Sequence, residues 1–163
     1  MSKEIREWIL AACIGISAAL FVRFFILETV KIDGSSMEPT FQNEDIILME
    51  KVSYRFHSPV RNDIVIVDIG DKTIIKRVVG MPGDKLKIED GVLYRNEEKV
   101  EEPYIQEKMI SDIQELTVPL HHVFVMGDNR NNSSDSRVYG AFDENQIQGR
   151  VMVEVKNNRG KWY

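Results

Sequence analysis

The chain has 163 residues, a net charge of −5 and one cysteine, Cys13. That length, less an N-terminal segment, suits one domain with a sizeable core and leaves too little for two. The acidic balance, without any long Lys/Arg cluster, excludes the phosphate-neutralising face of a nucleic-acid binder, and a lone cysteine excludes an internal disulfide or a Cys-based zinc site.

Trp8 to Leu27 is an apolar run of twenty residues. As a helix it would extend about 30 Å, the hydrocarbon thickness of a bilayer. We therefore read 1–7 as a polar N-terminus, 8–27 as an uncleaved transmembrane anchor and 28–163 as the domain beyond it. A removable signal peptide is the competing assignment, with Lys3 and Arg6 as its basic start and Ser17-Ala18-Ala19 as small residues suited to cleavage. Against it, the apolar stretch continues from Leu20 to Leu27 with only Arg23 as a polar break. Arg23 is near enough to the Leu27 end for its stem to carry the guanidinium to the headgroups. Flanking charge favours a cytoplasmic N-terminus only weakly, because Glu4 and Glu7 accompany the basic residues and Lys31 and Lys51 follow the span.

Beyond Leu27 the pattern changes to short strands and turns. Thr29-Val30-Lys31-Ile32 alternates as a strand and Asp33-Gly34 breaks it. Glu44 to Glu50 and Asp63 to Asp68 each enclose four apolar residues between charges, the pattern of strands buried on both faces. Lys72 to Val79 follows, then the turn Met81-Pro82-Gly83-Asp84. Leu86 and Ile88 alternate into Asp90-Gly91, and Val92 and Tyr94 alternate out of it, which predicts a hairpin. Asn96 to Val118 is rich in glutamate and reads as an excursion from the core. Val123 to Met126 resumes a strand, Gly127 to Gly140 is a fourteen-residue polar loop, and Val151 to Val155 is a last strand. The expected fold is mostly β, a coiled or barrel-like antiparallel sheet preceded by one membrane helix.

Ser36 lies in Gly34-Ser35-Ser36-Met37-Glu38-Pro39-Thr40, nine positions after the apolar run. A serine needs a base within hydrogen-bonding reach to act as a nucleophile. His57 sits in a polar loop, and His121 and His122 enter a strand with opposite side-chain directions, so a Ser/His/Asp triad is poorly supported. Gly-x-Ser-x-Gly and His-Glu-x-x-His are both absent, which disfavours a nucleophile elbow and a zinc hydrolase. In Lys72 to Val79 a period of two places Lys76 with Ile74 and Val78, and Arg77 with Thr73, Ile75 and Val79. Both faces are apolar, so a desolvated Lys76 could be neutral near pH 7 and accept a proton. An edge-strand pair of solvated cations is the alternative. In the polar loop, Asp128 and Arg130, and Asp135 and Arg137, each stand two apart and could pair, aiming Ser133 or Ser136 toward a site.

Taken in order, Ser36-Met37-Glu38-Pro39-Thr40, Asp63-Ile64-Val65-Ile66, Lys76-Arg77-Val78-Val79-Gly80-Met81-Pro82-Gly83-Asp84 and Gly127-Asp128-Asn129-Arg130 with Ser133, Asp135, Ser136, Arg137 and Gly140 resemble the successive boxes of type I signal peptidases. The single span and the short insertion before the Gly-Asp-Asn box look like the compact forms of Gram-positive bacteria. The resemblance implies Ser36 as nucleophile, Lys76 as general base, Ser133 as the group that orients the Lys76 amine, and Asp135 and Arg137 as braces of the loop. It implies no metal or cofactor, signal peptides of exported preproteins as partners, a cell-membrane location with a cytoplasmic N-terminus, and an extracytoplasmic catalytic domain. Ile32, Met37, Ile74 and Val79 are the expected lining of shallow apolar pockets, with the substrate added as an extended strand. Some members carry a serine two residues before the nucleophile as an oxyanion donor; Gly34 occupies that position here, which leaves the Ser36 backbone N–H as the main donor. A non-catalytic, membrane-tethered binder of signal peptides and a secreted β-domain protein are the competing classes.

Overall fold

The computed structural model describes residues 2–155 and 161–162. The Ser2 hydroxyl accepts the Ile5 N–H and caps α1 (Lys3–Phe25), whose first-turn donors would otherwise be unpaired. The helix therefore starts ahead of Trp8 and stops short of Leu27. Leu27 instead opens β1 (Leu27–Lys31), because its neighbour Ile26 already accepts the Lys51 N–H and Leu27 pairs with Glu50 in β2 (Ile46–Glu50). The expected anchor boundary and first strand are both displaced by this pairing. Ile32 leaves the ladder but still exchanges hydrogen bonds with Asp45 and Glu44, and it is buried. Among the described residues, the apolar surface of α1 is left exposed by the domain.

The remaining elements are β3 (Ile64–Asp68), β4 (Thr73–Gly80), β5 (Lys85–Glu89), β6 (Val92–Arg95), β7 (Glu98–Lys99), β8 (Ile113–Thr117), β9 (His122–Met126), the short α2 (Ser136–Tyr139), β10 (Phe142–Asp143), β11 (Ile147–Val155) and β12 (Lys161–Trp162). An antiparallel sheet runs β1-β2-β11-β3-β4-β9-β10, with β12 beside β11; a second runs β7-β6-β5-β8. Register shifts within β11, between Val78 and Gly80, and between Leu86 and Ile88 mark irregularities of the kind that bend strands and coil a sheet. The mostly-β architecture with a curled antiparallel sheet agrees with the expectation.

Two readings of the sequence need correction. The Ile46-Ile47-Leu48-Met49 run is not buried on both faces: Ile46 is 43% exposed while Ile47 is fully enclosed, since β2 lies near the sheet edge and presents one face to solvent. Ile64 to Val67 of central β3 are all buried, as expected. Residues 96–118 are not an excursion. They supply β7 and β8, and Met109 and Val118 join Val79, Leu86, Ile88, Leu93, Phe124 and Met126 in one core cluster. Ile113 and Leu116, three apart and so outside a simple alternation, both pack against that cluster because the β5–β8 register shifts between them. The Asp90-Gly91 hairpin forms as predicted, with Glu89 opposite Val92.

Candidate active site

Ser36 and Lys76 are forty positions apart in sequence, yet Lys76 Nζ lies 2.7 Å from Ser36 Oγ. β4 delivers the lysine. It runs between β3 and β9, and Lys76 pairs with Val65, so its long side chain is enclosed and only 3% of the residue is exposed. Burial disfavours the ammonium form and pulls the Lys76 pKa down to about 8. Asp135 and Asp128 oppose that shift, and Arg137 and Lys72 assist it. The amine also donates to its neighbour's carbonyl, Ile75 O, at 2.8 Å. As placed, Nζ donates to Ser36 Oγ; once neutral, the amine at this separation has a lone pair that can accept the serine proton instead. Such a pair can deprotonate serine without an imidazole.

The turn carrying Ser36 is clamped from two sides. Gly34 N–H donates to Asn43 Oδ1 at 2.8 Å, while Asn132 Nδ2 donates to Ser35 Oγ at 2.8 Å and Asn129 Nδ2 to Ser35 O at 3.1 Å. The Asn129 backbone N–H reaches Ser36 O at 3.1 Å. Among the described hydrogen bonds the Ser36 N–H donates to none, so it is free for a ligand oxygen. Gly127 also passes close to the serine turn: a Cβ there would meet Ser36 O at 2.4 Å and Ser133 Oγ at 2.3 Å. Only glycine lets the two backbones pass at this separation.

The polar loop is rigid for electrostatic reasons. Asp135, fully buried, accepts from Arg137 Nε and Nη2 at 2.8 Å each, from Gly127 N–H at 2.9 Å and from Ser133 Oγ at 2.7 Å. Burial alone would raise its pKa, but the Arg137 bonds, the Gly127 N–H and the Ser133 hydroxyl outweigh it and hold the carboxyl below its ordinary range. The Asp135–Arg137 pairing suggested by spacing is thus present. Ser133 gives its proton to Asp135, and among the described hydrogen bonds it makes none to Lys76. Ser136 faces away from this group, donating nothing to it and accepting the Val125 N–H at 2.9 Å.

The analogous pairing of Asp128 with Arg130 does not form. Asp128 takes Arg77 Nε at 2.8 Å and Nη2 at 2.6 Å, plus the Thr40 hydroxyl, while Arg130 turns to Glu102. Each arginine instead makes a two-point bond to a carboxylate on another element, Arg77 to Asp128 and Arg130 to Glu102. Thr40, Arg77 and Asp128 stand inside the motifs quoted above; Glu102 and Tyr104 stand outside them, and a Glu-x-Tyr in a charged stretch carries no signal by itself. Of the expected pocket residues, Ile32, Met37 and Val79 are core side chains at 2–4% exposure, and Ile74 is half-buried on the Lys76 strand. His57 lies in an exposed turn, bonded to Ser58 O, and His122 bonds Leu120 O, so neither approaches Ser36 by any described hydrogen bond.

Residues 5–155 match the family model described as signal peptidase, peptidase S26. The chain is 37% identical over 159 residues to the probable signal peptidase I-1 of Synechocystis, an alignment covering 91% of this chain and 81% of that protein. It is 36% identical over 159 residues to signal peptidase I S of Bacillus subtilis, covering 90% and 86% respectively. A crystal structure of a signal peptidase I from Enterococcus faecalis aligns with a TM-score of 0.52 at 30% identity, over 58% of this chain and 97% of that one.

Proposed function

This chain belongs to the S26 signal peptidase family, and from that premise we propose that it is a membrane-anchored serine endopeptidase that removes signal peptides from exported preproteins. Ser36 is the nucleophile and Lys76 the general base. The observation that carries this reading is the 2.7 Å separation of Lys76 Nζ and Ser36 Oγ within a buried, desolvated setting.

Neutral Lys76 takes the Ser36 proton as Oγ attacks the scissile carbonyl, and the ammonium so formed protonates the departing amine. Water then attacks the acyl ester, giving a proton to Lys76, which returns it to Ser36 Oγ as the ester C–O bond breaks and the carboxylic acid product leaves. The free Ser36 N–H supports the oxyanion role assigned to it. Asp135 and Arg137 brace the loop. Ser133 is assigned the orientation of the Lys76 amine; its hydroxyl, tied to Asp135, keeps an oxygen that can accept from the amine once the two are brought together. Of the residues expected to line the pockets, Ile74 keeps surface to offer a peptide side chain, while Ile32, Met37 and Val79 are committed to core packing.

The exposed apolar helix α1 supports a single-pass anchor. The orientation in this reading, with 1–7 cytoplasmic and the domain extracytoplasmic, follows from the proposed reaction, since exported preproteins emerge on that side. A preprotein cleavage assay in detergent tests the whole reading: wild type should release the mature product and Ser36→Ala should not. Cleavage by Ser36→Ala near the wild-type rate would reject it.

A further inference from the structure

Residues 100–112 bring two side chains against the back of the polar loop. The Glu102 carboxylate accepts Arg130 Nη1 at 2.8 Å and Nη2 at 2.5 Å, and the two side chains are only 4% and 1% exposed. Tyr104 donates its hydroxyl to Glu102 at 3.0 Å, and its ring lies 4.0 Å beneath the Arg77 guanidinium. Each arginine passes this restraint toward Ser36. Arg130 Nε donates to Gly127 O at 3.0 Å, and Arg77 grips Asp128. Gly127 packs on Ser36 O, and Asn129, next to Asp128, donates to that same oxygen.

We propose that Glu102 and Tyr104 are positioning residues for the serine attack: through Arg130 and Arg77 they fix 127–129 against the Ser36 carbonyl. The proposal rests on Ser36 being the nucleophile. A buried guanidinium with two bonds to one carboxylate has its plane and depth fixed, and removing the carboxylate leaves an uncompensated cation that must move toward water. Moving Arg130 pulls on Gly127, and a displacement of about 1 Å at a reacting centre can cost a hundredfold in rate. Tyr104 acts on Arg77 by cation–π attraction in a desolvated site. It has a second consequence. Lys76 is faced by Asp135 and Asp128 on the negative side and by Arg137 and Lys72 on the positive. When Arg77 loses its aromatic support, it neutralises Asp128 less well, and the Lys76 ammonium is favoured.

The test uses the full chain in detergent with a preprotein substrate, with rates normalised to the folded fraction measured by near-UV circular dichroism. Glu102→Gln should lower kcat by about tenfold to a hundredfold with KM held within about twofold. Tyr104→Leu should lower kcat similarly and move the ionisation in the kcat/KM profile to higher pH. Tyr104→Phe, which retains the ring over Arg77, should keep the wild-type pH profile and most of kcat. A purely structural role would lower the folded fraction and leave kcat per folded enzyme and the pH profile unmoved. That result overturns the proposal, as does an equal loss in Tyr104→Phe and Tyr104→Leu. If Glu102→Gln does not fold, the two Tyr104 variants decide alone. Ser36→Ala in the same assay separates the failures: if it cleaves, the serine reading falls; if it is inactive while Glu102→Gln and Tyr104→Leu match wild type, only the positioning claim falls.

Discussion

Gly127 and Ser36 touch backbone to backbone: a methyl group on Gly127 would stand 2.4 Å from the Ser36 carbonyl oxygen. The polar loop and the serine turn are therefore one rigid unit, and Gly127→Ala should separate them. We expect a loss of about 1–3 kcal/mol in stability, the usual cost of overpacking, and a larger proportional loss of cleavage. Thermal melting and kcat measured on the same preparation check this; full activity with unchanged melting would show that the loop yields freely.

Cleavage should rise with pH through an ionisation near 8, where Lys76 loses its proton, well below the ordinary lysine value. Lys76→Arg keeps the charge but cannot supply a neutral base, so it should be as inactive as Lys76→Ala. Replacing His57, His121 and His122 together should leave the profile in place. A pH profile that moves with the histidines would remove Lys76 from the mechanism.

The same ionisation affects stability. The folded pKa of Lys76 is about 8 against 10.5 for the free side chain, so the unfolded chain holds more protons between those values and stability should rise with pH across that window. Below pH 8 the buried ammonium costs of order 3 kcal/mol. Lys76→Met should be more stable than wild type at pH 7, with the difference shrinking toward pH 10.5. Denaturant melts at the two pH values measure it, and a pH-independent difference would contradict the assigned shift.

Asp135→Ala strips partners from Arg137, Gly127 and Ser133 together, and should cost about 3–5 kcal/mol with activity lost in parallel. Because the folded pKa of Asp135 is lowered, its contribution is present above the unfolded carboxyl value and lost as pH falls through the folded one. Ser133→Ala breaks only one of those bonds and should reduce kcat more than KM. An effect confined to KM would place Ser133 in substrate binding instead.

Gly34 adopts φ +103°, a conformation that side chains rarely take. Gly34→Ser, which supplies the donor some relatives carry there, should therefore be strained by about 1–3 kcal/mol and should not raise kcat. A faster enzyme would show that the turn relaxes to let the hydroxyl reach the oxyanion.

Local pattern carried much of this protein. The apolar run in α1, the four buried residues of β3, and the Asp90-Gly91 hairpin follow from hydropathy period and turn chemistry, which act over neighbouring residues. Ser36, Lys76, Ser133, Asp135 and Arg137 stand out as candidates because their motifs follow one another along the chain, and the Asp135–Arg137 ion pair because its partners are two apart. Long-range pairing decided the rest. Leu27 belongs to a strand because Glu50 is opposite it, and residues 96–118 enter a sheet because β5 offers Ile113 and Leu116 a partner. Asp128 binds Arg77, 51 positions away, in preference to Arg130, and Arg130 binds Glu102, 28 positions away. Sequence spacing lists which charges a loop can present. Which of them meet depends on the register of β4 against β3 and β9, and on a desolvated interior in which a buried ion must take the partner with the best geometry.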